Sequence, residues 1–141
     1  MVNSKKGNKG FTLIELIIVF AIIAILAAIL VPNFLKARSR SQLAACESNL
    51  KNLGTALELY SVDNSSRYPA TGQLTAKLVP EYLKNIPKCP AAGSDTYSPG
   101  YTAAASPDAY SMYCGGNVHQ QADISLPNYP QYTSSAGLII K

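Results

Sequence analysis

Every residue from Leu16 to Val31 is apolar, a run of sixteen, and the wider window from Phe11 to Leu35 is interrupted only by Thr12, Glu15, Pro32 and Asn33. As a helix this window rises roughly 37 Å, enough to cross a hydrocarbon core about 30 Å thick. Beyond Pro32 the pattern becomes one-sided. Leu43, Cys46, Leu50, Leu53, Leu57 and Tyr60 follow one another at steps of three and four, a stripe down one helix face. Arg40, Glu47, Lys51 and Glu58 fall off that stripe and read as wet or intersubunit positions. The pattern therefore predicts one helix from about Thr12 to Val62, bent or broken at Pro32, where the ring removes a donor and crowds the Ala28 carbonyl. Its first half is apolar all round and its second half amphipathic. Asp63, Asn64, Ser65 and Ser66 form a polar stop with turn chemistry.

The remainder, residues 63–141, is rich in Pro, Tyr, Ser and Ala. Leu74, Leu78 and Leu83 suggest a short helix closed by Ile86 and Pro87. Thr96–Ala103 and Ala109–Cys114 read as strands joined by a turn around Ser106, Pro107 and Asp108, with a further strand near Leu138–Ile140. A small antiparallel sheet laid on the helix stripe is the expected result, an α+β arrangement.

Composition sharpens this division. All three Phe lie within the first 34 residues and all nine Tyr from Tyr60 onward, as expected for one greasy environment and one half-wet. The formal net charge of +4 is concentrated at the start. Without Lys5, Lys6 and Lys9, nine basic residues face eight acidic ones. The basic pI therefore gives little support to nucleic-acid binding. Charged residues make up only 14%, below the roughly 25% of soluble domains.

The apolar run admits three readings. A secretory signal peptide needs a small-x-small cleavage site, yet Ala21, Ala24, Ala27 and Ala28 never fall two apart. A plain membrane anchor leaves Glu15 unexplained, because a carboxylate at bilayer depth marks a function or a partner. The third reading is carried by Lys9-Gly10-Phe11-Thr12-Leu13-Ile14-Glu15-Leu16. This segment resembles the processing site of type IV pilins and type II secretion pseudopilins, and the apolar continuation with Ala21, Ala24 and Pro32 is similar too.

The resemblance implies a type IV pilin fold, with a long bent helix packed on a small sheet. It divides the chain into a cleaved leader 1–10, a helix 11–62 (11–35 for membrane and filament core, 36–62 amphipathic) and a head 63–141. A prepilin peptidase would cut between Gly10 and Phe11, and Phe11 would then be N-methylated. In a membrane-embedded monomer Glu15 could meet its own new α-amine; the resemblance implies pairing with the Phe11 α-amine of a neighbouring copy, setting axial register in the filament. The implied partners are further copies of the chain through their N-terminal helices, the inner membrane before assembly, the prepilin peptidase, and an assembly platform with its motor. Surfaces or DNA would meet the finished filament. Adhesion, twitching motility and DNA uptake are the functions implied. The alternative is a secretion pseudopilin forming a periplasmic pseudopilus. A membrane-anchored enzyme or periplasmic binding module is the reading from a different class. Ala21, Ala24 and Ala28, at i, i+3 and i+7, form a small-residue stripe that permits close helix approach.

A head outside the inner membrane would meet oxidising conditions, where disulfides persist. Cys89 and Cys114 are the expected bridge, with Cys46 as a competitor. On the helix stripe, Cys46 itself reads as a buried free thiol behaving as a small hydrophobe. No catalytic constellation is evident. A Cys114–His119 dyad has no orienting acid or oxyanion site beside it. His119 is the sole histidine, and zinc would need more ligands than the sequence visibly groups. No cofactor and no metal are therefore expected. The acidic calcium loop of major pseudopilins has only Asp123 to match it after Cys114.

Overall fold

A computed structural model describes residues 10–105, 108–122, 124 and 126–140. The leader positions 1–9 with Lys5, Lys6 and Lys9, the turn residues Ser106 and Pro107, and Asp123 lie outside the described residues. The chain divides into two compact units, one up to Leu35 and one from Lys36 onward. Helix α1, Leu13–Asp63, contributes to both.

In the first unit every described residue is exposed. Its Leu, Ile, Val and Phe side chains are all exposed, Phe11 to 87% and Phe34 to 68%. Each such side chain gains roughly 1.5–3 kcal/mol when it leaves water, so the unit is built for another apolar medium. The helix passes the length and composition test for crossing a membrane. Pro32 stands inside α1 and does not interrupt it, which corrects the expected break. The proline withholds one N–H from Ala28 but leaves the flanking ladder in place, and the Asn33 side-chain amide adds a bond to the Ile29 carbonyl at 3.1 Å.

The second unit has the layered plan expected from the stripe. Cys46, Leu50, Leu53 and Leu57 are fully buried, and Tyr60 packs at the margin of the same core. Helix α2 is only Leu74–Leu78. Its chain turns away at Val79 and Pro80, since a residue before proline is pushed out of helical geometry; Leu83 lies beyond it. Four strands follow: β1 Thr102–Ala105, β2 Asp108–Tyr113, β3 Gln131–Thr133 and β4 Gly137–Ile139. They pair in sequence order, all antiparallel.

The first strand begins later than predicted. The Asp95 carboxylate accepts the backbone N–H groups of Tyr97 and Ser98 at 2.9 and 3.0 Å, and Gly100 N–H closes a turn on Tyr97 O at 3.0 Å. Those bonds hold residues 95–100 as turns. Along β2, alternation sends Tyr110 and Met112 into the core and carries Cys114, two residues on, to the same buried side.

Tyrosines fill much of this core, and the buried ones, Tyr97, Tyr101 and Tyr110, each have the hydroxyl engaged. Tyr101 donates to Pro69 O at 2.7 Å. Glu58 accepts from Tyr68 at 3.0 Å and Tyr110 at 3.3 Å, so this off-stripe residue is a structural acceptor. Burial pushes the Tyr101 and Tyr110 hydroxyls up from the ordinary tyrosine range, keeping both neutral donors. Tyr110 stacks on Tyr132 at 6.3 Å between centroids.

Gly54 faces that aromatic layer from the middle of α1. A Cβ there would lie 2.6 Å from Tyr132 Cε1 and 2.7 Å from its Cζ. Glycine is a poor helix former, so its place here is steric. Gly54→Ala is expected to destabilise the detergent-solubilised chain by about 1–3 kcal/mol despite the gain in helix propensity, read by chemical denaturation.

Candidate functional site

Two groups of residues carry chemistry beyond packing. The first is the start of α1. Gly10 is exposed, and a Cβ built on it meets nothing within 4 Å. The chain itself thus sets no steric demand for glycine at this position. Thr12 and Glu15 form a reciprocal cap. Thr12 N–H and Thr12 Oγ1 each donate to Glu15 Oε2 at 2.8 Å, and Glu15 N–H donates to Thr12 Oγ1 at 3.3 Å. This T-x-x-E arrangement satisfies donors that a helix start leaves orphaned and puts a carboxylate at the positive end of the dipole. In this uncleaved chain the Phe11 nitrogen is an amide, so the expected Glu15–Phe11 charge pair has no cation to form with. The capping box holds the carboxylate instead.

The second group lies wholly in the unit from Lys36 onward. Cys46 from the α1 stripe, Cys89 from the loop after α2, Cys114 just past β2 and His119 converge, all buried. No pair of their ligand atoms exceeds 4.8 Å. Cys114 Sγ lies 3.4 Å from Cys89 Sγ and 3.4 Å from His119 Nε2, and Cys89 Sγ lies 3.7 Å from that nitrogen. All three cysteines are free thiols. The expected Cys89–Cys114 bridge is therefore not formed here, since a disulfide needs about 2.05 Å between sulfurs. Hydroxyls attend two of the sulfurs: Tyr97 Oη donates to Cys46 Sγ at 3.3 Å, and Thr96 Oγ1 sits 3.2 Å from Cys114 Sγ. The Cys114 thiol is drawn down from the ordinary thiol range, chiefly by the hydrogen bond from Cys46, against the cost of burial. Cys46 and Cys89 are pushed up, Cys46 first by that shared bond and Cys89 first by burial.

Comparison with known proteins bears on the first group. A family model described as the prokaryotic N-terminal methylation motif matches residues 5–31. The type IV wide pilus major component PilA4 of Thermus thermophilus is 41% identical over 110 residues, 78% of this chain and 75% of that protein. The type II secretion system core protein G of Aeromonas hydrophila is 32% identical over 143 aligned positions, 91% of this chain and 98% of that protein. The chain belongs to the type IV pilin and pseudopilin family. The type IV major pilin protein PilA of Myxococcus xanthus is 61% identical over 49 residues, 35% of this chain and 22% of that one. No solved structure matches the chain significantly.

Within this family frame the methylation motif takes in Gly10, Phe11 and Glu15 together. The α+β fold, with one long apolar helix and a small antiparallel sheet, is that of a pilin. The relatives named are filament and secretion components. Sequence reasoning missed two things. The Thr12–Glu15 capping spacing was present in plain view. The grouping of Cys46 with Cys89, Cys114 and His119 was not, although Cys114 and His119, five apart, were its one local trace.

Thr12→Ala is expected to remove the cap and destabilise the first turn of α1 by about 1 kcal/mol. Amide exchange at Ile14 and Glu15 in micelles then speeds by roughly fivefold, while exchange in the head is unchanged.

Proposed function

We propose that this pilin-family chain is the repeating subunit of a type IV pilus. The observation that carries the reading is the first unit: an apolar helix with no covering atoms among the described residues, headed by the methylation motif. Such a surface needs a bilayer before assembly and a sheath of like helices after it. The chain is anchored in the inner membrane with its leader on the cytoplasmic side. A prepilin peptidase cuts between Gly10 and Phe11, and Phe11 becomes an N-methylated amine. That cut converts a neutral amide into a cation.

Glu15 then has a stronger partner than its capping threonine. In a packed bundle the Phe11 amine of an adjoining copy meets it, and the pair fixes axial register. Unpaired, a buried carboxylate costs roughly 3–5 kcal/mol, so copies out of register are rejected. The Ala21, Ala24 and Ala28 stripe lets helices approach closely, and Pro32 leaves the Ala28 carbonyl without its ladder donor, a place where the helix can give during assembly. The filament displays the tyrosine-rich head outside the cell, where adhesion, twitching or DNA uptake would act through it. None of this asks catalysis of the chain. A second reading, a pseudopilin in a periplasmic pseudopilus, is favoured by the match spanning 98% of the core protein G relative.

The test is expression of Glu15→Val in the native host. The variant is expected to reach the membrane at wild-type level while chain recovered in sheared surface filaments falls by about a hundredfold or more. Wild-type filament yield from the variant would refute the pairing. Wild-type chain retained in the envelope, with none sheared from the surface, would favour the pseudopilus.

A further inference from the structure

We propose that Cys46, Cys89, Cys114 and His119 bind one zinc ion as a structural Cys3His site within the head. The argument is geometric first. A tetrahedral zinc with Zn–S near 2.3 Å and Zn–N near 2.05 Å has ligand edges of about 3.8 Å for S···S and about 3.6 Å for S···N. The separations here are 3.4 Å for S···S and 3.4 and 3.7 Å for S···N. All four ligand atoms, brought from three stretches of chain, lie within 4.8 Å of one another, and none is solvent-exposed. Soft thiolates with one imidazole select zinc over calcium or magnesium.

The surroundings suit thiolates. Each sulfur has hydrogen-bond partners of its own: Tyr97 Oη donates to Cys46, the backbone N–H groups of Ala91 and Ala92 serve Cys89, and Thr96 Oγ1, 3.2 Å from Cys114 Sγ, can donate once that sulfur is a thiolate. Hydrogen bonds of this kind orient metal ligands and take up part of their charge. The Cys89 loop is held tight for the purpose, with Gly93 N–H on Cys89 O at 2.8 Å and Cys89 N–H on Ser94 O at 2.9 Å.

A disulfide accounts for the cluster less well. Joining Cys89 to Cys114 consumes two sulfurs and leaves a third thiol and a buried imidazole beside them. It also turns two acceptors of hydroxyl and amide hydrogens into poor ones. Zinc uses all four groups. On binding, three S–H bonds give up their protons to solvent, three Zn–S bonds and one Zn–N bond form, and no electron changes hands. A cleft of about 250 Å³ lined by Ser39, Gln42, Ala91, Val118, His119 and Gln121 gives the ion a route to the imidazole.

The site ties α1 to the loops at one end of the sheet. A head of this size gains from such a staple, in a compartment where free thiols would otherwise oxidise. The proposal is independent of the filament reading, because it concerns a metal inside one chain.

The experiment uses the full chain purified in mild detergent, without chelator or added metal. Elemental analysis is expected to give about one zinc per chain. Exchange for cobalt should produce the intense visible bands of tetrahedral thiolate coordination. His119→Cys, which offers a fourth thiolate, should keep the metal and shift those bands. Thr96→Val, which leaves the ligands intact, should weaken zinc affinity by roughly 10–100-fold in competition with a chromophoric chelator. Zinc below about a tenth of the chain concentration, with no thiolate bands on cobalt titration of the reduced wild-type chain, overturns the proposal. A Cys89–Cys114 disulfide in a peptide map of filament-derived chain overturns it as well.

Discussion

Everything in this molecule depends on one helix that must satisfy two media. Up to Leu35 its apolar side chains cover the full circumference, and water is excluded from none of them by the chain itself. From Lys36 onward only one face is apolar, and that face is covered by α2, the tyrosines and the sheet. Exposure on this scale costs tens of kcal/mol in water, so the first part is stable only in lipid or among copies of itself. Membrane anchoring follows from that imbalance, and in the function proposed so do extraction and polymerisation.

Polarity is rationed along the same helix. The carboxylate of Glu15 sits where a helix start needs an acceptor, and Thr12 meets it from both directions. A capping box keeps the acid occupied while the chain is uncleaved. In the function proposed, proteolysis then supplies a cation that a bilayer cannot, and Glu15 would exchange a weak intrachain partner for a strong interchain one that sets register in a bundle. In the second unit the same economy holds: buried hydroxyls of Tyr97, Tyr101 and Tyr110 all find acceptors, and no buried side-chain polar atom among the described residues lacks a partner.

What the sequence made legible was whatever is encoded by local period. The 3–4 spacing from Leu43 to Tyr60 is a direct imprint of one buried face, and it located the core before any strand was known. Strand β2 was legible from its tyrosine-rich run after a turn, and its buried positions, Tyr110 and Met112, alternate. Strand β1 was placed too early because a single side chain, Asp95, takes over the backbone donors of Tyr97 and Ser98. Strand β3 escaped notice because Gln131–Thr133 is short and half-buried throughout. Pro32 signals a bend or a break, and no break occurs because one missing hydrogen bond in a long helix leaves the ladder on either side intact. The cysteine–histidine cluster was illegible in principle. Its members lie 43, 25 and 5 residues apart along the chain, and only the folded sheet, laid on the helix, brings Cys114 round to Cys46.

In the function proposed, cleavage before Phe11 turns an anchored chain into a polymerising one. Intact-mass and N-terminal analysis of the chain taken from native surface filaments tests it most directly. The account predicts a species beginning at Phe11 and bearing an N-methyl group. A filament-borne chain that still carries residues 1–10 would contradict it.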